Sequence, residues 1–134
     1  MEETEHESAL IRAFIEPKRR ERYLGLLASP RGREKLRRGL AHCRDIDPRF
    51  AHELPADVHT PAEIATLLRA KGAPAECTLL AEDAALDGRR LPLEDALAAI
   101  VGRGMGTLVS CVPGRLAFYE GEDPGVRYLL ERSI

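Results

Sequence analysis

The chain has no tryptophan and only three tyrosines and three phenylalanines in 134 residues. Tyr23 is the one aromatic inside its basic runs, so it lacks the aromatic platforms on which unpaired bases stack. Cysteine is scarce too. Cys43, Cys77 and Cys111 are odd in number, widely spaced and without a CxxC pair, which argues against a disulfide framework and for a reducing, cytoplasmic setting. No apolar run approaches the roughly 18 to 20 residues of a membrane span. The opening MEETEHESAL has neither the basic start nor the apolar core of a secretory signal. Only Lys18, Lys35 and Lys71 are lysines among 20 basic residues, and alanine is abundant. That bias reads as a high-GC bacterial genome, so an arginine here is not by itself a phosphate ligand.

What the chain does contain is an ordinary globular balance, 44% apolar and 31% charged, in a length suited to one domain spanning residues 1–134. Net charge is −2 but unevenly placed. Residues 1–11 carry four acids and no Lys or Arg, residues 12–44 carry 11 basic against 3 acidic, and residues 45–134 carry 9 basic against 15 acidic. Such asymmetry marks a nucleic-acid surface, or a basic part that docks on an acidic part of the same molecule or of a second copy.

Hydrophobic spacing predicts a helical part over residues 1–72. Leu10, Ile11, Phe14 and Ile15 form a short stripe that ends before Pro17, because proline disfavours helical backbone in the residue before it. Tyr23, Leu24, Leu26 and Leu27 mark a second helix, and Ser29-Pro30 is an N-cap followed by proline at the first helical position. In the third helix, Leu36, Leu40 and Cys43 recur at helical spacing. Residues 44–59 read as a long connection with a helical turn near Asp47-Pro48. Thr60-Pro61-Ala62-Glu63 is a capping box, starting a helix that stops at Gly72.

Residues 73–134 read as β-α-β-β-β. The expected strands are Cys77–Ala81, Thr107–Val112 and Arg115–Glu120, with Val126–Leu130 a further strand or else a terminal helix, and a helix opens at Pro92 and ends at Gly102. Turns fall at Asp87-Gly88, Pro113-Gly114 and Asp123-Pro124-Gly125. The fold class is therefore α+β, with a helical N-terminal half packed on a small, mainly antiparallel sheet.

The stretch GRGMGT, residues 102–107, has the glycines of a phosphate cradle but the wrong order of elements. Nucleotide loops run from strand into helix, whose amino end attracts anions; this one leaves a helix carboxyl end and enters a strand. A Pro113-Gly114 hairpin pairs Thr107 with Glu120, Val109 with Phe118 and Cys111 with Leu116 on an apolar face. Cys111 thus faces the core as a small hydrophobe. The other face, with Leu108, Ser110, Arg115, Ala117 and Tyr119, is mixed, either half solvated or covered. A ligand site on this hairpin would use Arg103, Arg115, Tyr119 and Glu120.

Three further constellations carry less. His42, Cys43, His52 and His59 match no compact zinc spacing, and no cofactor is indicated. Glu82, Asp83, Asp87, Glu120, Glu122 and Asp123 sit at strand ends, where a small hydrolase would hold its acids. No histidine follows His59, so a Cys111–His dyad needs long-range assembly. The basic segment is the strongest signal outside the core. Lys18, Arg19, Arg20, Arg22, Arg33, Lys35, Arg37 and Arg38 lie on two neighbouring helices. The reading that follows is a non-enzymatic bacterial binding or regulatory module contacting a protein partner, or itself, through those helices. The alternatives are a phosphate-bearing ligand, nucleic acid or nucleotide, and a hydrolase using the strand-end acids or Cys111.

Overall fold

The computed structural model describes residues 2–122 and 126–132. The expected turn at Asp123-Pro124-Gly125 lies outside them. Helices α1 (Glu2–Phe14), α2 (Arg20–Leu27) and α3 (Pro30–Arg38) come first, with 3-10 turns at Pro17–Arg19 and Leu40–His42. Then follow β1 (Ala51–Glu53), α4 (Pro61–Ala70), β2 (Glu76–Ala81), β3 (Arg90–Pro92), α5 (Leu93–Ile100), β4 (Thr107–Val112), β5 (Leu116–Glu120) and β6 (Arg127–Glu131). The strands form one antiparallel six-stranded sheet in the order β1-β6-β5-β4-β2-β3.

The expected α+β architecture is present, with two additions. The connection over residues 44–59 contains β1, and Arg90–Pro92 forms a short strand before α5. Both are edge strands of three residues, and the C-terminal half is therefore β-β-α-β-β-β. The third helix, expected to carry Leu40 and Cys43, instead ends at Arg38, caps at Gly39 and gives way to the 3-10 turn; the other helix signals hold at atomic detail. The Ser29 side chain accepts from Gly32 N, and Thr60 and Glu63 close both halves of a capping box. Gly72 has φ 109°, and Ala73 N donates to Leu68 O at 3.0 Å, the left-handed helix stop that glycine favours.

Both faces of the sheet are covered. On one, Ile64, Leu68, Leu93 and Leu97 from α4 and α5 pack on Leu79, Val109, Cys111 and Phe118. On the other, Leu10, Ile11, Phe14 and Leu36 from α1 and α3 pack on Leu80, Leu108, Ala117 and Tyr119. The mixed hairpin face is thus covered at Leu108, Ser110, Ala117 and Tyr119, the last 1% exposed, while Arg115 at the turn stays exposed.

The β4–β5 register matches expectation from Thr107↔Glu120 to Ser110↔Ala117, then shifts so that Val112, and not Cys111, pairs with Leu116. Gly114 has φ 72° and Arg115 N donates to Val112 O at 3.0 Å. That is a type II turn, whose twist does not suit a tight two-residue hairpin, and the extra residue in β4 absorbs the mismatch. Cys111 stays buried on the core side.

Candidate functional site: a basic helical face and its cleft

The four hairpin residues do not converge. Tyr119 passes under the 3-10 turn at Leu40–His42, donating its hydroxyl to Leu40 O and, at 3.2 Å, to Ala41 O. Glu120 is 3% exposed and accepts from Arg127 Nε at 2.6 Å and from Gly102 N at 2.8 Å. Arg103 is exposed in the loop after α5 and lines a cleft of about 200 Å³. Arg115 is exposed at the opposite end of the hairpin, beside Lys71, Glu131 and Arg132. Six residues of strand, roughly 20 Å, separate the two arginines.

The glycine loop does bind anions, but internal ones. Gly102 N holds Glu120, and Gly106 N donates to Glu82 Oε1 at 3.0 Å. Two of the strand-end acids are thereby engaged by backbone amides. Asp87 is engaged as well, by Arg33 and Ala81 N. Among the described residues, no group of three or more His, Cys, Asp or Glu side chains is placed to hold a metal ion. His42, His52 and His59 are each exposed on separate elements.

The thiols are held in their neutral form. Burial pushes Cys77 up to about 12, and raises Cys111 and Cys43 as well. Where a nucleophile requires the thiolate, the two core cysteines are far from it.

A cleft of about 770 Å³ runs between the start of α1 and the β2–β3 edge, lined by His6, Thr78, Glu76 and Arg90 among others. It brings His6 Nδ1 to 2.7 Å from Ser110 Oγ across 104 residues of sequence, a pairing no spacing rule could show. Ser110 is 2% exposed and lies beneath the imidazole without lining the cleft. A substrate in the cleft therefore meets His6 and not the hydroxyl.

The basic helices divide into two sets of cations. Arg33 forks onto Glu7 and Asp87, with Nη1 2.8 Å from Glu7 Oε1 and Nε 2.7 Å from Asp87 Oδ2. Those carboxylates raise the guanidinium pKa further above its usual range, the Glu7 hydrogen bonds first. Arg37 donates to Ala81 O and Glu82 O, each at 2.9 Å. Arg20 donates to Ile15 O at 2.8 Å. These three arginines rivet α2 and α3 to α1 and to the end of β2. Lys18, Arg19, Arg22, Lys35 and Arg38 remain exposed. Of these, Arg38 pairs with Glu34 along α3, and Arg19 lies 3.9 Å from Asp45. Lys18, Arg22 and Lys35 have no acidic partner among the described residues.

Helix α2 buries none of its residues. Tyr23, Leu24, Leu26 and Leu27 are only half-buried against the core beneath. Between α2 and the end of α3 opens a cleft of about 310 Å³, with Leu26, Leu36 and Leu40 in its walls and Arg22, Lys35 and Arg44 around it. Inside, Tyr23 Oη donates to Asp45 Oδ2 at 2.6 Å. Burial and that carboxylate both raise the Tyr23 pKa, so it stays a neutral hydroxyl. Comparison with known proteins gives no match: no family model, no curated protein and no solved structure.

Proposed function

We propose that the chain is a small binding module, bacterial and cytoplasmic, without a catalytic role. Its contact surface is the outer face of α2 and α3, and its partner is a protein presenting acidic groups. One observation supports this reading: α2 leaves four apolar side chains half-exposed beside Lys18, Arg22 and Lys35, cations with no ion-pair partner among the described residues. Interfaces favour this mixture, since Arg and Tyr are enriched at their cores and a charged rim steers encounter. The riveting arginines supply the second requirement, a face already rigid before contact, so that little ordering opposes binding.

The test is affinity capture from bacterial extract with and without nuclease treatment, followed by calorimetry with the purified partner. Replacing Arg22, Lys35 and Arg38 together by Glu is expected to weaken that complex at least about tenfold, while Arg103→Glu leaves it unchanged. A complex indifferent to the triple variant refutes the assignment. If the retained material is instead nucleic acid, released by nuclease and weakening steeply with salt, the phosphate-binding alternative replaces it.

A further inference from the structure

We infer that the cleft between α2 and the end of α3 receives a single apolar side chain from an acidic segment of the partner. This rests on the reading above and narrows it to one contact. A volume of about 310 Å³ lies at the bottom of the range for small-molecule pockets, roughly 300 to 1,000 Å³, which leaves room for an anchoring side chain and its neighbour but little for a whole cofactor. Half-buried Leu26 gives such an anchor an apolar wall, with the buried Leu36 and Leu40 behind it. The charges fix what flanks it. Arg22 from α2, Lys35 from α3 and Arg44 from the following segment surround the opening, and guanidinium groups pair with carboxylates in a two-pronged fork.

Asp45 decides between an acidic peptide and a phosphate. Its carboxylate lies within the cleft, hydrogen-bonded to Tyr23, and a dianion seated beside it would meet like charge. An anchor that is apolar at its tip and acidic on its flanks avoids Asp45 and still reaches the cations. The fold already shows the same kind of contact at the rim, where Glu122 pairs with His42.

Gly39 gives a way to test the cleft without touching charge. It lines the cleft, is exposed, and has ordinary helical backbone with φ −91°. A Cβ added there meets only Leu36 O, at 3.6 Å. Gly39→Leu therefore plugs the cleft in a folded protein, which circular dichroism verifies. The probe is a displayed library of random short peptides selected on the wild-type chain, with the selected sequences resynthesised and measured by fluorescence anisotropy.

Expected are peptides carrying acids around one large apolar residue, with affinity lost about tenfold or more in Gly39→Leu and in Arg22→Glu/Lys35→Glu. Truncating the apolar residue of the peptide to Ala should have a matching effect. Selected peptides without acidic enrichment, or binding that Gly39→Leu leaves intact, overturn the inference. Phosphate or octyl phosphate competing as well as the peptide overturns it too. The two proposals fail separately. A natural partner that tolerates Gly39→Leu but not the charge reversals keeps the binding face and removes the cleft, whereas tolerance of the reversals removes both.

Discussion

Gly106→Ala should be among the most destabilising substitutions available in this chain, because Gly106 is where the sheet and the 3-10 turn beneath the cleft touch. A Cβ at Gly106 would fall 2.2 Å from both Ala41 N and Leu40 C, and 2.5 Å from Leu40 O. Those are backbone atoms, so no side-chain rotation relieves the overlap. Leu40–His42 must move away from β4, and that turn is held by the Tyr119 hydroxyl on Leu40 O and Ala41 O. The displaced strand entry also carries Gly106 N→Glu82 Oε1 at 3.0 Å and Glu82 N→Gly106 O at 2.9 Å. Overpacking costs about 1 to 3 kcal/mol, and each weakened buried hydrogen bond adds about 1. A loss of about 3 to 5 kcal/mol results, or roughly 10 to 20 °C in Tm for a chain of this size. Gly25→Ala is the counterpart, since its Cβ meets nothing within 4 Å and α2 continues through it. That variant should gain about 0.5 to 1 kcal/mol from helix propensity. Urea titration followed by circular dichroism measures both. If Gly106→Ala lies within about 1 kcal/mol of wild type, the contact between β4 and the turn is not tight, and the rigidity claimed for the cleft goes with it.

Two other perturbations probe the rest of the molecule. Native-state labelling with a thiol reagent, read by mass spectrometry, should modify Cys43 well before Cys77 and Cys111, which are each 1% exposed; rapid labelling of Cys111 in the folded protein would restore the nucleophile reading. Asp47 is buried and its pKa is lowered, chiefly by hydrogen bonds from the Arg49 side chain. Its folded-state pKa lies below the unfolded one, so its contribution is complete above the ordinary carboxylate range and lost as pH falls through the folded-state value. Asp47→Asn should therefore destabilise the chain at neutral pH, with the gap to wild type closing in acid. A gap constant with pH in urea titrations would rule this out.

Much of the fold was legible because local chemistry and global packing agree in it. The proline-led helix starts, the Thr60 capping box and the Gly72 stop are short-range events whose partners lie within three or four residues. The missed strands have no such signature. Ala51–Glu53 is a strand because Ala51 faces Leu130 and Glu53 faces Tyr128, and Arg90–Pro92 because Leu91 faces Cys77. Neither has enough apolar alternation to declare itself. The hairpin residues misled for a related reason. Every residue of β5 is buried, so Tyr119 and Glu120, which point to opposite faces, both end inside. Nothing near Glu120 in sequence shows that Gly102 N and Arg127 will close over it.

The division of the arginines is the point at which sequence reading reached its limit and at which the structure contributes most. Leu36 and Arg37 lie three and four residues from Arg33, so one face of α3 carries two cations inward with Leu36, and Leu40 in the following 3-10 turn packs into the same core. Glu7 and Asp87, 26 and 54 residues away, are what make that tolerable, since a partly buried charge needs a paired and hydrogen-bonded partner. Once those partners are assigned, the positive charge left outside is smaller than composition suggested but better localised. It sits on α2 and the flank of α3, beside the half-buried apolar side chains of α2. A generic basic patch would bind polyanions by charge alone. In the proposed reading, cations around a cleft of mixed lining, with an acid held inside it, select for shape as well as sign. That combination favours a protein segment over a phosphate backbone, and it makes the Gly39 plug more informative than any charge reversal.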